Sequence, residues 1–321
     1  MEAGGRERKP VTTARLRAMK RKGEKIAVIT AYDYPSAQLA EAAGADVILV
    51  GDSLGNVVQG RETTLAVTLD HMVYHTEMVS RAVRTPFVVA DMPFATYHGG
   101  VDATLANVAR LMREGGAKGI KLEGGREILP AVRAAVAAGV PVMGHLGLTP
   151  QSVHRIGGYR VQGKDADAAA RMLEDALMLE EAGVFAIVLE LVPGVTAARI
   201  TEALSVPTIG IGAGAGCDGQ VLVFHDVLQY ALDPVPKKFV KAYADVGGAI
   251  RGAIAAYVRD VKAGTFPGEE HTFRAEDAGE RQPLYSAGGR GGSASGGSPA
   301  GGGNGPSAQA ADAVGTAEAR P

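Results

Sequence analysis

The stretch Asp46-Val-Ile-Leu-Val-Gly-Asp-Ser-Leu-Gly55 decides how this chain folds. Four consecutive aliphatic residues, Val47 to Val50, read as a strand buried on both faces, because a half-exposed strand would alternate with polar residues. Gly51, Asp52 and Ser53 then end it with a carboxylate and a hydroxyl. The same grammar recurs in Phe87-Val-Val-Ala-Asp91, Gly119-Ile-Lys-Leu-Glu123, Val140-Pro-Val-Met-Gly-His145 and Phe185-Ala-Ile-Val-Leu-Glu190. Apolar strands that each end in an ionisable residue point to a parallel α/β enzyme, whose chemistry sits at the carboxyl ends of its strands.

Working outward, strands are expected over residues 25–30, 47–50, 87–90, 119–122, 140–143, 185–189, 206–211 and 220–224. Helices are expected over 12–22, 36–43, 70–83, 101–113, 127–138, 167–182, 196–204 and 240–261. Gly44, Gly115-Gly116 and Gly139 stop three of these helices. Eight alternating strands and helices over about 230 residues match a (β/α)8 TIM barrel. A doubly wound open sheet is the rival, and the even spacing and full count favour the barrel. The catalytic domain then spans 12–274, after a flexible N-terminus, 1–11. The loop 145–164 is the longest between elements and carries Gly157-Gly-Tyr-Arg-Val-Gln-Gly163, which reads as a lid or binding loop. From 275 to 321 the chain is mostly Gly, Ala, Ser and Pro, too poor in apolar residues to offset its ordering entropy, so a disordered tail is expected.

Composition narrows the function. The 321 residues carry a formal net charge of −2, which gives no basic field for nucleic acid. No apolar run approaches the roughly 20 residues of a membrane span, and the first ten residues lack the apolar core of a signal peptide. One cysteine, Cys217, excludes an intramolecular disulfide and suits a reducing cytoplasm. A cytoplasmic protein without nucleic-acid or membrane partners is the expectation.

Asp52, Asp91 and Glu123 end three consecutive strands, so a barrel sets them side by side at its carboxyl mouth. Three adjacent carboxylates raise one another's pKa unless a cation neutralises them. An all-oxygen set selects a hard ion, Mg²⁺ above all; helix capping or pairing with Arg is the alternative. Lys121 lies two residues before Glu123 and shares its face, suited to a substrate carboxylate or to a structural ion pair. Glu190, across the barrel from Asp52, is placed as a base, or else as a fourth metal ligand or a salt-bridged acid. His145 is placed either to contact substrate or to sit buried in a structural role. Gly210-Ile-Gly-Ala-Gly-Ala-Gly216 follows the seventh strand and has Ala215 where a dinucleotide fingerprint has Gly, so close backbone approach is the better reading.

Taken together these motifs resemble the ketopantoate hydroxymethyltransferase family. The resemblance runs from about Thr30 to Phe273 and rests on Thr30-Ala-Tyr-Asp-Tyr34, Val50-Gly-Asp-Ser-Leu-Gly55 and Lys121-Leu-Glu-Gly-Gly125. It continues in Gly144-His-Leu-Gly-Leu-Thr-Pro-Gln151, Gly158-Tyr-Arg-Val-Gln-Gly163, Gly210-Ile-Gly-Ala-Gly214 and Pro267-Gly-Glu-Glu-His271. The tail after residue 275 departs from it. The resemblance implies a barrel of the phosphoenolpyruvate/pyruvate class, assembled as a homodecamer. It implies a Mg²⁺ site at Asp52, Asp91 and Glu123, and substrate contacts at Asp52, Ser53, Asp91, Lys121 and His145. Glu190 is the implied proton acceptor. The implied reaction moves a hydroxymethyl group from 5,10-methylenetetrahydrofolate to C3 of 3-methyl-2-oxobutanoate through a Mg²⁺-stabilised enolate, giving 2-dehydropantoate for pantothenate and coenzyme A synthesis. A Mg²⁺-dependent C–C lyase would need a Lys-Lys-Cys-Gly-His setting that is missing. A non-catalytic binding barrel would be expected to have lost some of these acids.

Overall fold

Residues 8–232 and 235–274 are described in this computed structural model. The chain forms two compact units, 1–262 and 263–321. The second is described over 263–274, where Glu269–His271 makes one 3-10 turn. The expected disordered tail, 275–321, and residues 1–7 of the expected flexible N-terminus lie outside the described residues. Arg8 pairs with Asp46 at 2.6 Å, and Val11 is buried.

Eight parallel strands close on themselves: β1 (Ile26–Thr30), β2 (Val47–Val50), β3 (Phe87–Asp91), β4 (Gly119–Glu123), β5 (Val142–Gly147), β6 (Ala186–Glu190), β7 (Thr208–Ile211) and β8 (Gly219–Leu222), with β8 paired back onto β1. The open-sheet rival is thereby excluded. Eleven α-helices accompany them in the described residues: α1 (Thr13–Lys22), α2 (Tyr34–Ala42), α3 (Leu54–Val57), α4 (Leu69–Ala82), α5 (Val101–Arg113), α6 (Leu129–Ala137), α7 (Val153–Ile156), α8 (Ala166–Glu181), α9 (Gly194–Ala203), α10 (Phe224–Leu228) and α11 (Val246–Ala263). Side-chain caps start several of them: Asp33 accepts from Ser36 N–H, Thr68 from His71 N–H and Asp165 from Ala168 N–H.

The period of two sorts each strand. Val47 and Leu49 join the apolar cluster inside the barrel, while Ile48 and Val50 join the larger cluster between sheet and helices. Leu16 and Met19 of α1 belong to the interior cluster, so α1 closes the amino-terminal mouth. Each fully buried aliphatic side chain there stabilises the fold by about 1.5–3 kcal/mol. The same period puts Asp91, Lys121, Glu123, His145 and Glu190 on interior positions.

Some boundaries differ from expectation. β5 begins at Val142 and runs to Gly147, because Val140 N–H still bonds Ala135 and Pro141 has no N–H to give the ladder. His145 therefore lies within the strand. Pro207 likewise delays β7 to Thr208. Phe224 opens α10 instead of ending β8, and the last helix starts at Val246, where Asp245 accepts from Gly248 N–H.

Two exteriors lack cover. β2, β3 and β4 are buried at every position, whereas β1 and β8 alternate, with Ala27 and Gln220 exposed and Ile29 and Leu222 half-buried. None of the residues of α11 is buried.

Glu41 ties α2 to the approach into β3, accepting from Arg84 N–H, Thr85 N–H and the Thr85 hydroxyl. Partial burial acts to raise its pKa, but these hydrogen bonds outweigh it and hold the carboxyl below its usual 4.5. A depressed native pKa gives stability that is present above the unfolded pKa and lost as the pH falls through the native one. Glu41→Ala is expected to cost about 1–3 kcal/mol at neutral pH. In urea unfolding followed from pH 7 downwards, the gap to the wild type should narrow below pH 4.5; a constant gap would show that the ionised form contributes nothing special.

Candidate active site

The carboxyl mouth of the barrel holds a cavity of about 450 Å³. All seven residues singled out from the sequence line it: Asp52, Ser53, Asp91, Lys121, Glu123, His145 and Glu190. β3 and β4 pair Asp91 beside Lys121, β4 and β5 pair Glu123 beside His145, and β5 and β6 pair Gly147 beside Glu190. The ladder therefore lays the charged groups along a diagonal.

Lys121 sits at the centre. Its Nζ is 3.1 Å from Asp91 Oδ1, 3.8 Å from Glu123 Oε1 and 3.1 Å from His145 Nδ1. Asp52 joins through its backbone N–H, which donates to Asp91 Oδ2 at 3.1 Å. His145 bridges the two acid groups, with Nδ1 3.5 Å from Glu123 Oε1 and Nε2 3.4 Å from Glu190 Oε2. Ser53 Oγ lies 2.8 Å from the Tyr32 hydroxyl.

Burial governs the electrostatics. It pushes the Asp52 carboxyl well up, and the charges of Glu123 and Asp91 push it further. Asp91 is also raised by burial, against the pull of Lys121. Glu123 is depressed despite burial, because His145 and Lys121 both favour its ionised form. For His145, burial and then the Lys121 charge act to lower the pKa. Contacts with Glu123 and Glu190 more than reverse them and hold it at about 9.

Glu190 is aimed by local backbone constraints. Leu191, directly after it, has φ +46, a left-handed conformation that costs a non-glycine residue about 1–3 kcal/mol. Gly147, at φ +93, lies where a Cβ would stand 2.2 Å from the Glu190 carbonyl oxygen, so only glycine fits there.

The donor set suits a divalent cation. Asp52, Asp91 and Glu123 face one ammonium in a dry site, so hard oxygen donors outnumber the charge that Lys121 can offset. Among the described residues no three acid, His or Cys side chains converge closely enough to enclose a metal alone.

A family model described as Ketopantoate hydroxymethyltransferase matches residues 10–269. The chain belongs to this family. It is accordingly an enzyme of the transferase class. The 3-methyl-2-oxobutanoate hydroxymethyltransferases of Halorhodospira halophila and Carboxydothermus hydrogenoformans are 56% and 55% identical to it, over 83% and 82% of this chain and 95% of each relative. That of Nitratidesulfovibrio vulgaris is 55% identical over 84% of this chain and 87% of its own. Among solved structures, oxaloacetate acetylhydrolase with 3,3-difluorooxalacetate superposes at TM-score 0.53 and 17% identity, covering 84% of this chain and 92% of that one. Phosphonopyruvate hydrolase with oxalate and Mg²⁺ superposes at 0.52 and 15%, covering 84% and 93%. These likenesses establish the barrel alone.

In this family member, sequence reading missed the neutral partners of the acids. Gln151 and Tyr97 are buried among them, and Tyr159, Phe239 and the Asp226–Lys237 ion pair line the cavity. Gln151 stood inside a quoted motif, but nothing in its neighbours marked it as a contact of Asp52 on another strand. The glycines of 210–216 are accounted for without a phosphate: a Cβ on Gly212 would stand 2.7 Å from Leu191, and one on Gly216 2.9 Å from Ala198. Cys217 is buried, and that burial pushes its thiol pKa up, so it is inert.

Among the described residues, Lys121 is the one ammonium paired with Asp91 and Glu123. Lys121→Met is expected to cost about 3–5 kcal/mol in metal-free buffer, as a buried charge group loses its partner. Urea unfolding checks this, and an unchanged midpoint would mean that the acids carry no net charge for Lys121 to balance.

Proposed function

We propose that the chain transfers a hydroxymethyl group from 5,10-methylenetetrahydrofolate to C3 of 3-methyl-2-oxobutanoate, giving 2-dehydropantoate for pantothenate and coenzyme A synthesis. The observation that carries this reading is the division of the cavity. Asp52, Asp91, Lys121 and Glu123 line it from the side of β2 to β4, and Val188, Leu191, Ile211, Val221 and Phe239 line it from the side of β6 to β8, where Glu190 and the Asp226–Lys237 pair are the charged groups. A ligand that satisfies both sides has an oxygen-rich anionic end and a short branched apolar end. The acidic hydrogen between the two ends then lies beside a carboxylate. The names borne by relatives about 55% identical support the same reading.

Asp52 and Asp91 would hold the Mg²⁺ ion, with Glu123 acting through Lys121, His145 and water; when bound, the ion supplies Lewis-acid polarisation of the 2-oxo oxygen. The chain's own groups do the rest. Lys121 and Ser53 bind the substrate carboxylate and fix its orientation. Glu190 takes the proton from C3, leaving the electron pair conjugated with the oxo group. His145 holds Glu190 in line and steadies its charge before the transfer. The nucleophilic C3 then forms its bond to the one-carbon unit, both carbon–nitrogen bonds of the donor methylene break, water supplies the hydroxyl, and the proton left by water and the one taken from C3 end on the two folate nitrogens. The glycine-hinged loop bearing Tyr159, tied to Leu191 O by Gln162 N–H, serves as the cover that keeps bulk water from C3.

The first step needs no folate. With Mg²⁺ and 3-methyl-2-oxobutanoate in D₂O, the wild type is expected to exchange the C3 proton, read by NMR, and Glu190→Gln to lose at least about 10²-fold of that rate. Equal exchange in Glu190→Gln would remove Glu190 as the base. No exchange in the folded wild type, with or without tetrahydrofolate, would sink the enolisation route.

Self-association is also part of the proposal. The groove over β1 and β8, about 570 Å³ and lined by Ile29, Leu222 and Val227, is bare where a barrel has a helix. α11 offers an apolar face with Ile250, Ile254, Val258 and Val261 exposed. A second copy fits both, as two complementary surfaces left open on one chain match when copies pair, and it is the first contact of a larger assembly such as a decamer. Ile254→Asp with Val258→Asp is expected to dissociate the oligomer in light scattering; an unchanged mass would rule this contact out.

A further inference from the structure

Gln151 is buried at the base of the loop after β5, in the 3-10 turn Pro150–Ser152, and its side-chain amide and backbone N–H are all hydrogen-bonded. Its Nε2 donates to Asp52 Oδ2 at 2.8 Å and to the Met92 carbonyl at 2.9 Å. Its backbone N–H donates to Glu123 Oε2 at 3.0 Å. Its Oε1 accepts from the Tyr97 hydroxyl at 2.7 Å. That hydroxyl also lies 3.2 Å from the Glu123 carbonyl oxygen.

An amide has two faces of opposite polarity, and which one meets Asp52 matters. Two acceptors surround Nε2 and one donor meets Oε1, so the network admits a single orientation. Rotating the amide would set its oxygen against the Asp52 carboxylate and the Met92 carbonyl, and would turn its N–H toward the Tyr97 hydroxyl. Tyr97 is the only one of these partners that can be changed without touching a carboxylate or the backbone.

We infer that Gln151, its amide oriented by the Asp52 and Met92 acceptors and held from the other side by Tyr97, is a positioning residue that holds the carboxylates of Asp52 and Glu123 in place for cation and substrate. The inference rests on the proposed function only in naming Mg²⁺ as the cation. Gln151 reaches two acids that lie on different strands and fixes one oxygen of each, which leaves the others directed by the barrel. It also anchors the turn that leads into α7 and the glycine-hinged loop, so the cover of the cavity and its acids share one tether. Removing such an outer partner of a ligand costs about 10–100-fold in metal affinity or activity.

The test uses Tyr97→Phe, Gln151→Met and the double variant of the full chain. Mg²⁺ is titrated calorimetrically into metal-free protein with and without 3-methyl-2-oxobutanoate, beside thermal melts and steady-state rates. Gln151→Met is expected to weaken Mg²⁺ binding and lower kcat by about 10–100-fold, with KM for the folate donor unchanged. Tyr97→Phe is expected to move both the same way by a smaller factor, and the double variant to match Gln151→Met, because Tyr97 acts through Gln151. Full Mg²⁺ affinity in folded Gln151→Met, or losses that multiply in the double variant, would overturn the inference. Should Gln151→Met fail to fold, the near-isosteric Tyr97→Phe decides it alone: unchanged Mg²⁺ affinity refutes it. A wild type that binds Mg²⁺ but exchanges no C3 proton would sink the proposed reaction while leaving this comparison intact. One that binds no Mg²⁺ overturns both.

Discussion

Three buried carboxylates share one buried ammonium, and the rest of the structure answers to that imbalance. Asp52, Asp91 and Glu123 lie around Lys121, all of them at most 6% exposed. Taking an ion out of water costs several kcal/mol after relaxation, and one lysine cannot offset three acids. The protein answers with groups that favour the ionised forms: His145 beside Glu123, the Gln151 side chain on Asp52, and the Asp52 N–H on Asp91. What remains uncompensated is directed into the cavity, where the proposed divalent ion and anionic substrate would bring the balance near neutrality. A barrel without that task would place aliphatic residues on these positions and be more stable.

The opposite wall obeys a different constraint. Val188, Ile211 and Val221 continue the aliphatic interior of the barrel up to the cavity floor. Glu190 emerges from that wall, and its side chain, 17% accessible, is more exposed than those of Asp91 and Glu123. Its direction is set by the strain at Leu191 and by the missing Cβ of Gly147, neither of which would be kept for packing.

Legibility in the sequence followed the strength of each physical signal. Runs such as Val47–Val50 and Phe87–Asp91 could only be strands buried on both faces, and the closed barrel agrees with them. The acids were legible because an ionisable residue after an apolar run is rare and costly. Boundaries set by prolines at positions 141 and 207 were not, since the aliphatics on either side masked the missing N–H. Gln151 and Tyr97 escaped because a neutral side chain in a loop has many uses, and their partners lie 99 and 54 residues away. The alternation of β1, with Ala27 exposed between buried Ile26 and Val28, was in the sequence as small and mixed residues among aliphatics. Only the closed sheet gives it meaning, as the sector that its own helices leave bare.

Register is where fold and chemistry become one constraint. The ladder sets Asp91 opposite Lys121, Glu123 opposite His145 and Glu190 opposite Gly147. A slip of one residue between any of these strands would turn a charged group out among the covering helices and bring an aliphatic residue into the cavity. In a strand apolar on both faces, such as Val47–Val50, a slip would trade one aliphatic set for another, so the penalty falls on the strands that carry the ionisable residues. The paired strands therefore locate the ionisable groups at the mouth of the barrel, and Lys121, His145 and Gln151 offset the cost of burying them there.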